Sequence, residues 1–498
     1  MRVSDRRFGA LPRRDGTVEF RVWAPNAQTV SVRIGGEAHS LAGETDSVFA
    51  AVVRAAAGDQ YLFVLDGGAE LPDPCSRFQP KGLRGPSCVV EVPRAQRLGL
   101  DIEELVIYEL HVGTFSEAGT FDGVVPHLRE LRELGVTAVE LMPVATFPGA
   151  RGWGYDGVYV YAPHPAYGGP DGLGRLVRAA HGEGLGVILD VVYNHIGPGA
   201  DALAAFGPYL DAGGTEWGDG VDFSHAGVRE WAIQNALMWV DEYGIDGLRL
   251  DAIHAVRDQS ASHVLAELAD RVHATSPCAL VISETFPGDE RPPAWGHDAQ
   301  WDDGLHHALH ALLTGEREGY YAPYGSVEDV ARELERRPAE RHIVYAQDHD
   351  QVGNRAVGDR LPPELLLVAS SVVLFSAQTP LLFMGEEYGE RSPFRFFTDH
   401  LDPVIAEAAR EGRKREFAAY SGFAGEVPDP QAEETFLQSR LSRVEAPGMR
   451  DRYRRLLALR RRLPREVRTE VDGSRLTMRR GDAALVADFE RRTVTLSA

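Results

Sequence analysis

Arg249 and Asp251 lie two residues apart in the stretch GIDGLRLDAIHAV, residues 244–256. Successive side chains of a strand point to opposite faces, so Leu248 and Leu250 would share one face and the charged pair the other. Burying an arginine and a carboxylate costs several kcal/mol unless they pair or serve a function. Two interpretations are open from this stretch: a structural ion pair in a core, or a charged face that lines a pocket.

Polar side chains follow several other apolar runs in the same manner. They are His111, Glu140, Asp190, Asn194, His195, Glu284, His349 and Asp350. A single buried acid is commonly structural. Acids at several strand ends, with histidines and an arginine beside them, are poorly explained by isolated core ion pairs. The pattern therefore favours the pocket.

A set of carboxylates without a cysteine or lysine nucleophile suits glycosyl chemistry, which uses an ionised carboxylate as nucleophile and a protonated carboxyl as acid. Pairing with Arg249 would keep Asp251 ionised, while desolvation would keep Glu284 protonated near neutral pH. Trp153 and Tyr155, in the segment GARGWGYDG, are candidates to stack on sugar faces. Aromatic residues of this kind more often serve packing, so both roles stay open.

Parallel strands would bring these side chains together, because their carboxyl ends meet on one side of a barrel. From about residue 103, apolar strands alternate with amphipathic helices such as VPHLRELREL. Strand candidates run from LVIYELHVG to TPLLFMGEE, and a weaker one, sixth in order, lies near AQWDDG. About eight such units predict an α/β fold of the (β/α)8 TIM-barrel type. No glycine-rich phosphate loop follows the first strand, which argues against a Rossmann sheet.

The sequence on either side of the predicted barrel reads as β structure. Short strands separated by turn residues between 17 and 66 predict an N-terminal immunoglobulin-like β-sandwich. The last roughly 30 residues predict a short C-terminal β appendage. We therefore expect three domains, at residues 1–95, 96–465 and 466–498.

Composition limits the classes of partner. The 498 residues carry a formal net charge of −22, which argues against a nucleic acid or an anionic membrane surface as partner. Three cysteines form no CxxC motif and no even framework, so we expect reduced thiols. The first residues contain no apolar signal segment, and Gln378 and Pro380 interrupt the most apolar run. These features predict a soluble, cytoplasmic protein.

Four segments resemble the recurring regions of the α-amylase superfamily of glycoside hydrolases: DVVYNH, GLRLDA, the glutamate after VIS, and DHDQVGNR. They occur in the order and at the spacing of that superfamily. The resemblance implies a retaining mechanism with Asp251 as nucleophile, Glu284 as acid/base and Asp350 as stabiliser of the transition state. Tyr155, His195, Arg249 and His349 match the superfamily's residues around the sugar at the cleavage site. With them, the predicted substrate-binding residues are Trp153, Asp303, His306, Gln351 and Asn354.

Longer stretches resemble one family within that superfamily, the maltooligosyltrehalose trehalohydrolases. Four such stretches are PDPCSRFQPKGLRGPS, RGWGYDGVYVYAPHPAYGGPDGL, WDDGLHHALHALLTGEREGYY and EGRKREFAAYSGFAGEVPDPQAEETF. The resemblance implies cleavage of the α-1,4 bond beside a terminal trehalose, a starch-binding type of sandwich, and a place in trehalose biosynthesis after a maltooligosyltrehalose synthase. Asp303, His306 and the loop GEEYGERSPF would then border the trehalose unit, and a helix-capping and core role for His306 stays open as the alternative.

The sequence departs from the usual family pattern at a few positions near the site. Asp348 stands where asparagine is usual, SET replaces AED around the acid, and DDGLHH replaces DDFHH. These differences leave the catalytic carboxylates in place. Asp348 adds a negative charge near Asp350, so we expect it to influence the pH profile.

Three other functions compete with this interpretation. His306 and His310 are four residues apart on a helix, a zinc-binding spacing, but the glutamate of HExxH and a clear third ligand are missing. A branching or debranching enzyme would share the sandwich and the four regions. A non-catalytic glucan-binding module is the third alternative, which loss of a carboxylate would have favoured. We expect no metal and no cofactor.

Overall fold

The computed structural model describes residues 6–92, 95–211, 213–215, 217–418 and 426–497. Its central element is a closed barrel of parallel strands. In chain order these strands are Ile107–Leu110, Ala138–Leu141, Gly186–Val191, Gly247–Leu250, Leu280–Ser283, Ala299–Trp301, His342–Tyr345 and Thr379–Phe383. The first strand pairs with the last, Ile107 opposite Leu381, which closes the barrel. The TIM-barrel prediction is confirmed, including the weak sixth strand.

Helices alternate with the barrel strands and cover them. The α-helices are Val112–Phe115, Phe121–Val124, Leu128–Leu134, Gly169–Gly182, Asp201–Phe206, Ala226–Met238, Val264–Thr275, Arg291–Ala294, Asp303–Thr314, Val327–Leu334, His349–Gly353, Pro363–Phe375, Pro403–Ala418, Glu433–Gln438 and Met449–Arg460. Local sequence sets several of their ends. Ser326 and Asp329 form a capping box at one start, and Gly135 ends another helix at a φ of 119° that favours glycine.

The N-terminal part consists of two antiparallel sheets that face each other. One contains Gly9–Pro12, Thr17–Trp23, Ala42–Gly43 and Val48–Arg54, and the other Val30–Ile34, Glu37–Ser40, Gln60–Leu65, Glu70–Leu71 and Ser87–Cys88. Phe20 of the first sheet and Tyr61 of the second meet edge to face at 4.9 Å, which places an aromatic contact between the sheets. This arrangement confirms the predicted sandwich.

Buried ion pairs join the sandwich to the barrel. Glu242, at the end of a π-helical segment (Trp239–Tyr243), accepts hydrogen bonds from Arg77 and Arg7 of the N-terminal part. Arg77 and Glu242 are both buried, and burial opposes the charge of Glu242 while the two arginines hold its pKa below the usual range. The sandwich is therefore fixed against the barrel wall by charge as well as by apolar packing.

The C-terminal sheet has the antiparallel strands Arg468–Asp472, Arg475–Arg480, Ala483–Asp488 and Thr493–Ser497, as the sequence predicts. The apolar run before it forms the buried helix Pro363–Phe375 followed by a barrel strand, again as predicted. No helix of the described residues has the length and apolar content to cross a membrane. All three cysteines are free thiols. The domain boundaries at residues 95 and 465 stay predictions.

Candidate active site

Arg249 is fully buried and lies at the centre of the polar network inside the barrel mouth. Its Nη1 donates to Asp190 Oδ2 at 2.8 Å and to Asp251 Oδ1 at 2.6 Å. The guanidinium also lies 4.5 Å from the ring centroid of Trp301, which supports the buried cation from another side. Arg249 and Asp251 are thus a buried ion pair that also forms the floor of a polar site.

Asp251 follows the fourth barrel strand, and its carboxylate is held from two directions. Besides the contact with Arg249, Asn194 Nδ2 donates to Asp251 Oδ2 at 2.8 Å and to the Asp251 carbonyl at 3.1 Å. Donors to both oxygens fix the orientation of the carboxylate. Asp251 remains partly accessible, with 13% of its side chain exposed, as a nucleophile must be.

Glu284 follows the fifth strand and has the opposite electrostatic environment. Burial raises the pKa of Glu284 to about 8; Asp251 and Asp350 add to the rise, and Arg249 opposes it. Its Oε2 accepts a 2.6 Å hydrogen bond from the backbone N–H of Ala252, just after Asp251. Glu284 is therefore protonated near neutral pH and is positioned beside Asp251.

Asp350 lies in the short helix His349–Gly353, which follows the seventh strand. Burial alone would raise its pKa, but His349, Arg249 and a 3.0 Å hydrogen bond from Asn354 Nδ2 together lower it to about 2. The backbone N–H of Gln351 donates to Asp348 Oδ1 at 2.6 Å, so Asp348 caps this helix. Asp350 is thus ionised at all physiological pH values.

Tyr155 and His349 connect this helix to the third strand. The Tyr155 hydroxyl donates to Asp190 Oδ2 at 2.6 Å and lies 2.8 Å from His349 Nε2, and the two rings stack at 5.2 Å. His195 lies in the same wall, with its Nδ1 against Asn194 Oδ1, and burial lowers its pKa. Tyr155 and His195 thus belong to the same polar network as Asp190, His349 and Asn194, and their contacts with a sugar stay a prediction.

Trp153 has a different environment from the one that sugar stacking requires. It is 5% exposed, its ring stacks on Phe394 at 5.1 Å, and its Nε1 donates to the Arg395 carbonyl. A Cβ added to Gly353 would lie 2.2 Å from the indole, so that side is also occupied. This packing places Trp153 beneath His349, which it meets edge-on at 5.8 Å, and leaves no free face for a sugar.

The sixth-strand side of the mouth contains Asp303 and His306. Burial raises the pKa of Asp303 to about 6, and its Oδ1 accepts a hydrogen bond from Tyr345. His306 Nδ1 lies 2.8 Å from the Ala346 carbonyl, so it carries the proton, and Nε2 is left to accept from Tyr321 at 3.3 Å. Burial lowers the pKa of His306 well below the usual range, so the ring is neutral.

His306 and His310, whose spacing would suit a zinc ion, make other contacts. His306 uses both ring nitrogens as described, and His310 Nε2 faces Glu316 at 3.1 Å and Arg355 at 3.3 Å. Within the part of the chain that the structure describes, no three His, Cys, Asp or Glu side chains are grouped to hold a metal. The geometry therefore lends no support to a metallohydrolase, and metal-free catalysis stays a prediction.

The loop after the eighth strand does not present its acids to the leaving-group side. Glu386 accepts from Tyr453 at 3.1 Å, Glu387 from Tyr108 at 3.1 Å, and Glu390 from backbone N–H groups of its own loop. All three are at most 3% exposed. The expectation that this loop supplies trehalose contacts is thus not supported for its glutamates.

Sequence reasoning did not select Glu109 as a site residue. It is a buried acid of the first strand, and both its oxygens contact His349. Trp217 and Phe286, 48% and 61% exposed, were also not selected, although their rings lie 6.1 Å from His195 and 4.3 Å from His254. The charged residue inside the apolar run LVIYELHVG was the available signal for Glu109; nothing in the sequence marks the two aromatic residues.

Comparison with known proteins places this architecture in a family. Residues 106–206 match the family model for the alpha amylase catalytic domain. The malto-oligosyltrehalose trehalohydrolase of Saccharolobus solfataricus is 40% identical, over 91% of this chain and 87% of that protein. The chain belongs to the malto-oligosyltrehalose trehalohydrolase family. The enzyme of that name from Mycobacterium tuberculosis H37Rv is 42% identical over 89% of this chain and 86% of its own length.

A solved structure shares the fold of this trehalohydrolase-family chain. A provisionally assigned α-amylase from Salmonella typhimurium, at 1.4 Å resolution, superposes with a TM-score of 0.87 and 37% identity. The match covers 96% of this chain and 92% of the Salmonella chain. Membership in this glycoside hydrolase family leaves the branching, debranching and non-catalytic alternatives without specific support.

Proposed function

We propose that this protein is a retaining glycoside hydrolase that cuts the α-1,4-glucosidic bond next to the terminal trehalose of a maltooligosyltrehalose and releases trehalose. One observation carries the proposal: two carboxyl groups at the ends of adjacent strands, Asp251 and Glu284, lie in opposite electrostatic environments. Arg249 and Asn194 donate to the Asp251 carboxylate, while burial raises the pKa of Glu284 to about 8. Retaining glycosidases need such a pair.

In the first step, the Asp251 carboxylate attacks the anomeric carbon of the glucose at the cleavage site. Glu284 donates its proton to the glycosidic oxygen, which leaves with the trehalose unit. In the second step, Glu284, now a carboxylate, removes a proton from water. The water oxygen displaces Asp251, the new reducing end forms as the α-anomer, and both acids return to their starting states.

The other groups of the mouth stabilise and orient the sugar in this proposal. Asp350 is ionised and close to His349, so it can hold a sugar hydroxyl and stabilise the positive charge that develops on the ring. Tyr155 and His195 would contact the same glucose. We assign Asp303 and His306 to binding of the substrate near the leaving group, and Gln351 and Asn354 to binding of the substrate.

The substrate implies an upstream partner. A maltooligosyltrehalose must come from an enzyme that converts the reducing end of a maltooligosaccharide into trehalose, so we expect this protein to act after a maltooligosyltrehalose synthase. Three free thiols are consistent with a cytoplasmic location. The N-terminal sandwich is a candidate for binding glucan.

Product analysis with maltotriosyltrehalose tests the proposed function. We expect trehalose and maltotriose as the products, with maltotriose formed first as the α-anomer. New α-1,6 branches on amylose would identify a branching enzyme instead. Binding of the substrate without any turnover would identify a glucan-binding module.

A further inference from the structure

Glu109 makes an unusual double contact with a single residue of the site. Its Oε1 lies 2.5 Å from His349 Nδ1, and its Oε2 accepts the backbone N–H of His349 at 3.0 Å. Glu109 and His349 are each 1% exposed. One carboxyl group therefore fixes both the main chain and the ring of a residue that lies 240 positions later in the sequence.

The second ring nitrogen of His349 must also carry a proton. The Tyr155 hydroxyl has a single proton, which it donates to Asp190 Oδ2 at 2.6 Å. Asp190 Oδ2 also accepts from Arg249 Nη1, so it acts only as an acceptor. The Tyr155 oxygen, 2.8 Å from His349 Nε2, is then the acceptor of an Nε2–H donor.

The contact between His349 Nδ1 and Glu109 accounts for the other proton of the ring. Glu109 Oε2 accepts the backbone N–H of His349 while its Oε1 lies against Nδ1, and Asp350 Oδ2 lies 3.4 Å from Nε2 on the other side of the ring. A carboxylate on each side favours a ring protonated at both nitrogens. Burial opposes the charge, but Asp350 and Glu109 outweigh it and hold the pKa of His349 well above the usual range.

We propose that Glu109 is a positioning residue that keeps His349 as an imidazolium cation with Nε2–H directed into the cleavage site. This inference rests on the proposed function for its kinetic consequences, but not for the state of the ring. Glu109 would then contribute to the reaction through His349, without contacting the substrate. The cation in turn keeps Asp350 ionised next to the reacting sugar.

Other titratable or charged groups that face His349 come from each neighbouring element. They are His111 after the first strand, Glu140 on the second, Tyr155 in the segment between the second and third, Asp190 on the third, and Asp348 and Asp350 on the segment of His349 itself. Among all these groups and Glu109, the acids that contact the His349 ring directly are Asp350 and Glu109.

Glu140 provides a matched control for Glu109. The two residues are register partners on adjacent strands and are equally buried. Neither oxygen of Glu140 has a hydrogen-bond partner among the described residues, and burial raises its pKa well above the usual range. Glu140 is therefore neutral, and Glu140→Gln should leave His349 unchanged.

Nitrogen-15 NMR of histidine-labelled protein tests the state of the ring directly. The His349 signal is identified by its absence in His349→Asn. We expect both ring nitrogens to be protonated in the wild type and in Glu140→Gln. In Glu109→Gln, the amide oxygen accepts the His349 backbone N–H, its NH2 donates to Nδ1, and only Nε2 keeps a proton. A single protonated nitrogen in the wild type, or an unchanged ring in Glu109→Gln, would overturn the proposal whatever the substrate is.

Kinetics then test the consequence for catalysis. We expect kcat on maltotriosyltrehalose to fall about 100-fold in Glu109→Gln with a smaller change in KM, because an electrostatic contact of the transition state is lost. The acid limb of the pH profile should move to higher pH, because the pKa of Asp350 rises without the cation. Glu109→Asp keeps the charge, so it should lose rate but retain the wild-type acid limb. Equal profiles for Glu109→Gln and the wild type would contradict the role.

Discussion

The two sides of the barrel mouth use buried polar groups in different ways. On the cleavage side, basic groups lie between carboxyl groups: Arg249 between Asp190 and Asp251, and His349 between Glu109 and Asp350. On the sixth-strand side, His306 is neutral and exchanges hydrogen bonds with a backbone carbonyl and a tyrosine, and Asp303 pairs with Tyr345.

This difference separates chemistry from recognition. Charges in a region shielded from water stabilise a transition state that carries charge, so removing one should lower the rate on every substrate. Hydrogen-bonding groups such as His306 and Asp303 distinguish one sugar from another, because a substrate that leaves them unpaired loses binding free energy. Mutations on the two sides should therefore produce different patterns of loss.

The largest effect is expected for Asp251→Asn. The substitution preserves volume and folding but removes the nucleophilic charge, so kcat should fall by at least about 10⁴-fold on trehalose-terminated and plain maltooligosaccharides alike. Turnover on both substrates, with thermal unfolding as the control for folding, measures it. Turnover close to wild type would remove the nucleophile assignment.

Glu284→Gln should lose activity in a way that depends on the leaving group. Natural substrates need its proton, whereas α-maltotriosyl fluoride does not, so the first step with the fluoride should be largely preserved. In the wild type, kcat/KM should decline as pH rises through about 8, because Glu284 then loses the proton that it must donate. A basic limb that survives unchanged in Glu284→Gln would exclude Glu284 as its source.

Variants of the sixth-strand side should change selectivity more than rate. Asp303→Asn and His306→Gln should lower kcat/KM on maltotriosyltrehalose about 10-fold to 100-fold, since roughly 1.4 kcal/mol of lost contact is a factor of ten. The value for maltopentaose should change much less. Parallel assays measure the ratio of kcat/KM on the two substrates. An equal loss on both would show that these residues contribute to catalysis on all substrates and not to selectivity.

The smallest effect is expected for Asp348→Asn. Burial raises the pKa of Asp348 well above the usual range, so the folded protein holds a proton there that the unfolded chain releases. The free energy of unfolding of the wild type therefore falls as pH rises above the usual pKa of an aspartate. Asp348→Asn should remove this loss of stability and keep the helix cap. Thermal unfolding at several pH values measures it. A variant less stable than the wild type at pH 7 would show that Asp348 is ionised.

The sequence predicted the barrel and the carboxylates because both depend on local patterns. Asp251 and Glu284 lie directly after strands of regular apolar character, Asp350 lies in the short helix that follows another such strand, and the sixth strand was found despite its weak signal. Glu109 was not selected because its partner is 240 residues away and a single acid in an apolar run does not identify that partner. Trp153 was predicted to bind substrate, with packing left open as its other role, because the sequence does not reveal Phe394 against its face.

The glutamates after the eighth strand illustrate the same limit. A glutamate-rich loop at the carboxyl end of a barrel strand suggests substrate contacts, yet Tyr453 and Tyr108 turn Glu386 and Glu387 towards the barrel wall. Such orientations depend on side chains contributed by distant helices and strands. Local spacing therefore predicts which elements reach the mouth, but not which of their side chains face the substrate.

The central claim is that the mouth combines general glycosyl chemistry with selective recognition of a 1,1-linked second glucose. Side-by-side kcat/KM values for maltotriosyltrehalose and maltopentaose, with products identified by chromatography, test it most directly. We expect maltotriosyltrehalose to be cut to maltotriose and trehalose at least about 100-fold more efficiently than maltopentaose is cut. Each factor of ten corresponds to roughly 1.4 kcal/mol of transition-state stabilisation. Equal efficiencies would contradict the claim and leave a general α-glucanase.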